Sequence, residues 1–215
     1  MTKTKKRILW ISIAAAIVLI IACLTVWIFQ TIHWGFSREI PAAEQPARLQ
    51  FVSTAEKWLG LGDLDSSHKP IIDLYNSQKP LPQGYQVKYD DKWCATFVSA
   101  AAIASGITDI VPTECSCERQ IQLLMGLAAW EERDDYVPLP GDIIYYCSSD
   151  IGLGDCIRWS DHVGIVVGTW GGFMKVIEGN CGNKVAYRYI PINARTIRGF
   201  GLPDFAAIRS ETPMA

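Results

Sequence analysis

The chain has 215 residues, of which 20% are charged and 11% aromatic, an ordinary globular balance that allows a packed core. Lys3, Lys5, Lys6 and Arg7 are the only charged side chains in residues 1–30, which leaves 16 basic against 22 acidic residues in the rest. That acidic excess, without a basic stripe interleaved with aromatics, argues against nucleic acid as a partner.

Residues 8–29 form a run of 22 residues without a charge. As a helix the run spans roughly 33 Å, enough to cross a bilayer. The basic residues just before it place the N-terminus in the cytoplasm and everything after Phe29 outside. A cleaved signal peptide would have a shorter apolar core and a small-residue cleavage site. Ile20-Ile21-Ala22-Cys23 has the look of a lipoprotein acylation box, but residues 24–29 stay apolar where a polar tether belongs. The expectation is a basic tail and uncleaved anchor over 1–30, a Pro-bearing tether over 31–46, and one domain over 47–210.

Within that domain, apolar residues at Leu49, Val52, Ala55, Trp58 and Leu59 predict an amphipathic helix over 47–61. A Gly/Asp/Ser-rich loop follows, and 70–75 is too short to assign. Residues 93–105 predict a second helix with Asp90 or Asp91 as its N-cap, and 118–130 a third. After Pro140-Gly141 the pattern changes to short β-rich runs at 143–147, 162–167, 175–178 and 185–190, separated by Gly-bearing turns. Helices first and strands later predict an α+β domain with an antiparallel sheet.

Cys94 falls in the first turn of its predicted helix, where unpaired backbone N–H groups favour a thiolate. The helix dipole contributes only about 0.3–1 kcal/mol, less than one pKa unit, so a cationic partner is needed. Cys94 also shares a face with Phe97, Val98 and Ala101, and by itself it reads as a core residue. Of three histidines, His33 lies beside the membrane and His68 in a polar loop, whereas His162 opens the apolar strand Val163-Gly164-Ile165-Val166-Val167. A strand-end histidine facing solvent is the plain alternative. Glu178 and Asn180 close the next strand and either could orient an imidazole, as the third member of a triad does. Taken separately, they read as a polar turn.

Taken together, Trp93-Cys94-Ala95-Thr96-Phe97-Val98, Pro140-Gly141-Asp142-Ile143-Ile144, Asp161-His162-Val163-Gly164-Ile165-Val166 and Ile177-Glu178-Gly179-Asn180 resemble the CHAP family, the cysteine, histidine-dependent amidohydrolases and peptidases. The similarity runs from about residue 47 to 205, with Gly199-Phe200-Gly201-Leu202-Pro203 like the closing strand of bacterial members. The resemblance implies a papain-like fold, with helices packed on an antiparallel sheet. It also implies Cys94 as nucleophile, His162 as base and Glu178 as orienting acid with Asn180 assisting. The implied substrate is peptidoglycan, cut between sugar and stem peptide or within the peptide, on the cell-wall side of the membrane. An NlpC-type endopeptidase fits less well, because its nucleophile usually follows Asp and precedes Ser. A catalytically silent wall-binding module is the rival of another class, against which the intact Cys, His and Glu set speaks.

Some family members carry a calcium loop of alternating Asp residues before the nucleophile; Tyr85-Gln86-Val87-Lys88-Tyr89-Asp90-Asp91 lacks that alternation, and no metal or cofactor is expected. A zinc site from Cys115, Cys117, Cys147 and Cys156 is conceivable but poorly spaced. Family members more often carry other residues at 147 and 156, and an outward domain permits oxidation, so a Cys147–Cys156 disulfide is expected.

Strand parity constrains the orienter. Were Gly171-Gly172 a tight two-residue turn, His162 would oppose Cys181 and Glu178 would point to the other face. The triad therefore requires a longer loop or a bulge between Gly168 and Met174. Glu178 is preferred to Asn180, since a carboxylate holds an imidazolium through a charge-assisted bond.

Overall fold

The computed structural model describes residues 3–33, 39–133, 135–147, 156 and 159–208. They belong to two compact units, 1–36 and 37–215. The first is one helix, α1 (Lys3–His33), longer at both ends than the apolar run. Its stretch Trp10–Trp27 has a mean hydropathy of 2.5 and none of it is buried in protein, so it is long and apolar enough to cross a membrane. The hydroxyl of Thr25 donates back to the Ala22 carbonyl at 2.8 Å, which satisfies a polar group inside an otherwise apolar helix.

The second unit is α+β. Four helices, α2 (Gln45–Glu56), α3 (Lys69–Asn76), α4 (Cys94–Ser105) and α5 (Cys117–Gly126), precede the sheet. Its strands are β1 (Trp130–Glu131), β2 (Ile143–Tyr146), β3 (His162–Trp170), β4 (Phe173–Glu178), β5 (Ala186–Pro191) and β6 (Ile197–Gly201). They pair in the order β1-β6-β2-β3-β4-β5, every pair antiparallel.

α4 lies at the centre. Residues 94–102 are buried without interruption, and the helix packs on α2, α3 and β3. Its alanines and Ser99 keep the cylinder thin enough for neighbours to close in on several sides. Gly106, left-handed at φ 68°, ends it. Against it stand Phe51, Val52 and Ala55 of α2, Ile71, Ile72 and Tyr75 of α3, and the sheet face bearing Ile143, Tyr145, Val163, Ile165 and Ile177. The other sheet face, with Ile144, Val166, Met174, Val176 and Phe200, is buried as well, partly beneath Tyr136, whose ring centroid lies 5.2 Å from that of Phe200.

At three predicted helix ends the tertiary structure decides otherwise. α2 stops at Glu56 instead of 61 because the chain after it pairs with 183–185: Gly60 N–H donates to Val185 O (2.9 Å) and Val185 N–H to Leu61 O (2.8 Å). α5 stops at Gly126, and Trp130–Glu131 becomes a strand paired with Gly201 and Phe200. The N-cap of α4 is Trp93, with no side-chain cap, because the Asp91 carboxylate accepts instead from Lys88 N–H and the Tyr85 hydroxyl, both at 2.8 Å. Residues 70–75, left unassigned by their length, lie in α3, with Pro70 in its first turn.

One buried ion pair ties the helical layer to the sheet. Arg48 of α2 donates from Nη1 to Asp142 Oδ1 at 2.7 Å and to the Pro140 carbonyl at 3.0 Å, and from Nε to Glu44 at 2.7 Å. The second oxygen of Asp142 accepts from the Tyr136 hydroxyl (2.9 Å) and Leu139 N–H (2.8 Å), and the guanidinium lies 4.5 Å from the Phe205 ring centre. Burial pushes the Asp142 carboxyl up despite Arg48, so desolvation outweighs the attraction. Removing only the cation should therefore be costly. Arg48→Met is expected to lose about 3–5 kcal/mol in urea denaturation, and the double substitution Arg48→Met/Asp142→Leu to recover most of it.

Candidate functional site

Cys94 is the first residue of α4 and is 6% exposed. Trp93 before it is fully buried, its ring 5.3 Å from that of His68. Gly179 backs onto this turn: a Cβ there would stand 2.4 Å from Phe97 Cβ and 2.9 Å from the Trp93 ring, so only glycine lets the end of β4 approach α4. The Sγ of Cys94 lies 3.7 Å from the Sγ of Cys117, which opens α5.

His162 opens β3 in register with Tyr146 of β2, and the two rings stack with centroids 5.8 Å apart. Its Nε2 meets Glu178 Oε2 at 2.9 Å, and the Cys94 thiol also acts on the imidazole. The parity requirement is met in a different place from the one expected. Trp170 pairs with Phe173, so Gly171 (φ 53°) and Gly172 (φ 83°) do form a tight two-residue turn, the type that suits glycine. The register then slips by one residue between Val166 and Gly168, a bulge just ahead of the 168–174 stretch. Beyond it Val166 faces Val176 and Ile165 faces Ile177. That slip turns His162 and Glu178 to one face as diagonal neighbours. Gly164, between them, has no side chain to intrude: a Cβ there would stand 2.7 Å from Glu178 Cγ.

Glu178 is fully buried, and the same Oε2 accepts from Arg188 Nε of β5 at 2.9 Å. The Arg188 guanidinium also lies 5.7 Å from the Tyr146 ring centre and 3.7 Å from Cys181 Sγ. Asn180 sits in the turn after β4 at φ 55°, and no hydrogen bond joins its amide to His162 or Glu178 among the described residues. Geometry thus gives the contact to Glu178.

The charges alternate. The hydrogen bond from the Cys117 thiol, then those from His162 and the Ala95 backbone, hold the Cys94 thiol well below its ordinary range against burial. Burial opposes charge on His162, but its bonds to Cys94 and Glu178 outweigh it and push the imidazole up to about 9. Burial likewise opposes the Glu178 carboxylate, yet His162 and Arg188 keep it below its ordinary value. Cys117 is pushed well above the usual thiol range by its hydrogen bond to Cys94 and by burial. The arrangement favours a thiolate–imidazolium pair steadied by a carboxylate, a set suited to attack on a carbonyl carbon.

Cys117, Tyr146 and Arg188 escaped the sequence reading as parts of the site. Cys117 carried a signal, as a leftover thiol, while the other two join through strand pairing alone. Cys147 and Cys156 are both buried thiols, so the expected disulfide is not formed. Among the described residues, no three Cys, His or carboxylate side chains are grouped to hold a metal ion. Comparison with protein-family models, with curated proteins and with solved structures gives no match to this chain.

The raised imidazole value sets a pH window. The imidazolium is present below about 9 and lost as pH rises through it, and its contribution to stability, complete below about 6.5, disappears over the same rise. Glu178→Gln removes a charge-assisted bond and should move that alkaline limit downward. Alkylation of Cys94 by iodoacetate, whose carboxylate is drawn by the imidazolium, followed by mass mapping across pH, is expected to show the limit fall by about one unit. Asn180→Ala should leave it in place.

Proposed function

We propose that this chain is a membrane-anchored cysteine amidohydrolase of the CHAP type that cleaves amide bonds in the peptide part of peptidoglycan. The observation that carries the reading is His162 bonded to Glu178 at 2.9 Å, with the Cys94 thiol at a helix start and the imidazole each favouring the other's charged form. A papain-like arrangement is supported by the central helix bearing the cysteine and the antiparallel sheet bearing the histidine. The wall as substrate rests on the four motifs around these residues and on an apolar helix able to hold the domain at a membrane.

In this mechanism His162 keeps the Cys94 proton and leaves a thiolate, which attacks the amide carbonyl. The oxyanion is met by the Cys94 N–H, one of the unpaired donors of the first turn. The imidazolium then protonates the departing amine, and a thioester remains on Cys94. His162 next takes a proton from water, the hydroxide adds to the thioester, and the acid leaves with the thiolate restored. Glu178 is a positioning residue: it holds the ring and stabilises its charge.

Purified peptidoglycan incubated with the full chain in detergent should release fragments that mass analysis identifies. New amino termini on the first stem residue would denote an amidase, and internal ones an endopeptidase. Cys94→Ala is expected to reduce release by at least about 10³-fold with an unchanged unfolding transition. Digestion that survives this substitution would sink the mechanism.

Orientation follows from the basic residues ahead of α1. Protease added to wall-stripped cells should degrade the domain and spare the N-terminus. A protected domain would reverse the topology.

A further inference from the structure

The proposed chemistry needs one sulfur, and the fold supplies two side by side. Cys94 and Cys117 open consecutive helices, α4 and α5, and their Sγ atoms are 3.7 Å apart. A disulfide requires about 2.05 Å, so each sulfur need travel less than about 1 Å, within the reach of small χ1 changes. The described structure holds both as thiols.

Two of the other cysteines face other groups. The Cys115 thiol faces Glu114 Oε1 at 3.6 Å and Gln83 Nε2 at 3.9 Å, and Cys181 faces Arg188 at 3.7 Å. Cys117 alone among the described thiols is recorded against the Cys94 sulfur. The two are also pushed in opposite directions: Cys117 and His162 hold the Cys94 thiol below its ordinary range, while Cys94 and burial push the Cys117 thiol above it. This is the division of labour between a peroxidatic thiol and the thiol that resolves it.

We propose that Cys117 is a resolving cysteine, which captures oxidation of Cys94 as a reversible Cys94–Cys117 disulfide. The oxidant is a hydroperoxide. The Cys94 thiolate attacks one peroxide oxygen, the O–O bond breaks, the other oxygen leaves as water or alcohol on protonation by His162, and Cys94 becomes a sulfenic acid. Cys117 then gives up its proton and attacks the sulfenyl sulfur, and the hydroxyl departs with that proton as water. Two thiols lose two electrons in all and the peroxide gains them. A dithiol reductant reverses the bond by exchange and is itself oxidised to a disulfide. Without Cys117, the sulfenic acid is open to further, irreversible oxidation. That the bond switches the protein off rests on the proposed role of Cys94; its formation does not.

The test treats the full chain in detergent with hydrogen peroxide, blocks free thiols under denaturing acid conditions, and digests after glutamate. Glu114 separates Cys94 from Cys117, so their fragments should remain linked, about 2 Da lighter than the sum, and separate after dithiothreitol. Cys115→Ser should keep the link, which excludes Cys115 as the partner. Cys117→Ser should instead gain about 32 Da on Cys94, as sulfinic acid, which dithiothreitol does not remove. Wild-type protein in which Cys94 goes directly to the sulfinic form, or links to another cysteine, would overturn the proposal without any substitution. Wall digestion measured on the same samples is a separate readout. Linkage without hydrolysis by the reduced protein would leave the resolving chemistry standing and remove the hydrolase reading.

Discussion

The burial of α4 is the constraint on which the rest depends. Nine consecutive residues of this helix, 94–102, are shut from solvent, so its environment must be supplied on every side by other elements. α2 and α3 cover one flank and the sheet the other. A helix so enclosed meets solvent chiefly at its ends. Its N-terminal end carries unpaired N–H groups, and Cys94 stands there. The position that packing makes rigid is also the position where a thiolate is least costly.

Around that end the chain alternates sign within a small space. The Cys94 thiol and the Glu178 carboxyl are held below their ordinary values, the imidazole of His162 is raised, and Glu178 meets both His162 and Arg188 at 2.9 Å. Burial alone would neutralise each group. The alternation favours their charged forms, because each loss of solvation is offset by a neighbour of opposite sign. Tyr146 stacks on one side of the imidazole and limits its rotation. The second buried ion pair, Arg48 with Asp142, performs a different task at the opposite strand end of the same sheet: it holds α2 against the turn that starts β2. There burial prevails over attraction at the carboxyl, which marks the pair as a clamp whose halves are needed together.

Backbone geometry supplies the remaining precision. The tight Gly171-Gly172 turn and the bulge near Val167 act in opposite directions on register. The turn alone would send Glu178 to the wrong face, and the bulge corrects it. Two glycines then clear the approaches, Gly164 for the Glu178 side chain and Gly179 for the contact between β4 and α4. A Cβ at either place would collide with parts of the candidate site.

The amino-acid pattern by itself determined the apolar helix, the order of helices before strands, and which strands begin with His162 and end with Glu178. These are local matters, set by apolar periodicity, charge and turn residues over a few neighbours. Helix ends at Glu56 and Gly126 were decided by partners remote in sequence, since Val185 and Gly201 claim the following residues for pairing. The Asp91 carboxylate was diverted from the helix start by Tyr85 and Lys88 in the same way. Only the tertiary structure placed Arg188 on Glu178, Tyr146 on His162 and Cys117 beside Cys94. The physical reason is that these contacts come from strand register and helix packing, and a one-residue slip at a bulge exchanges one sheet face for the other without leaving a mark in composition.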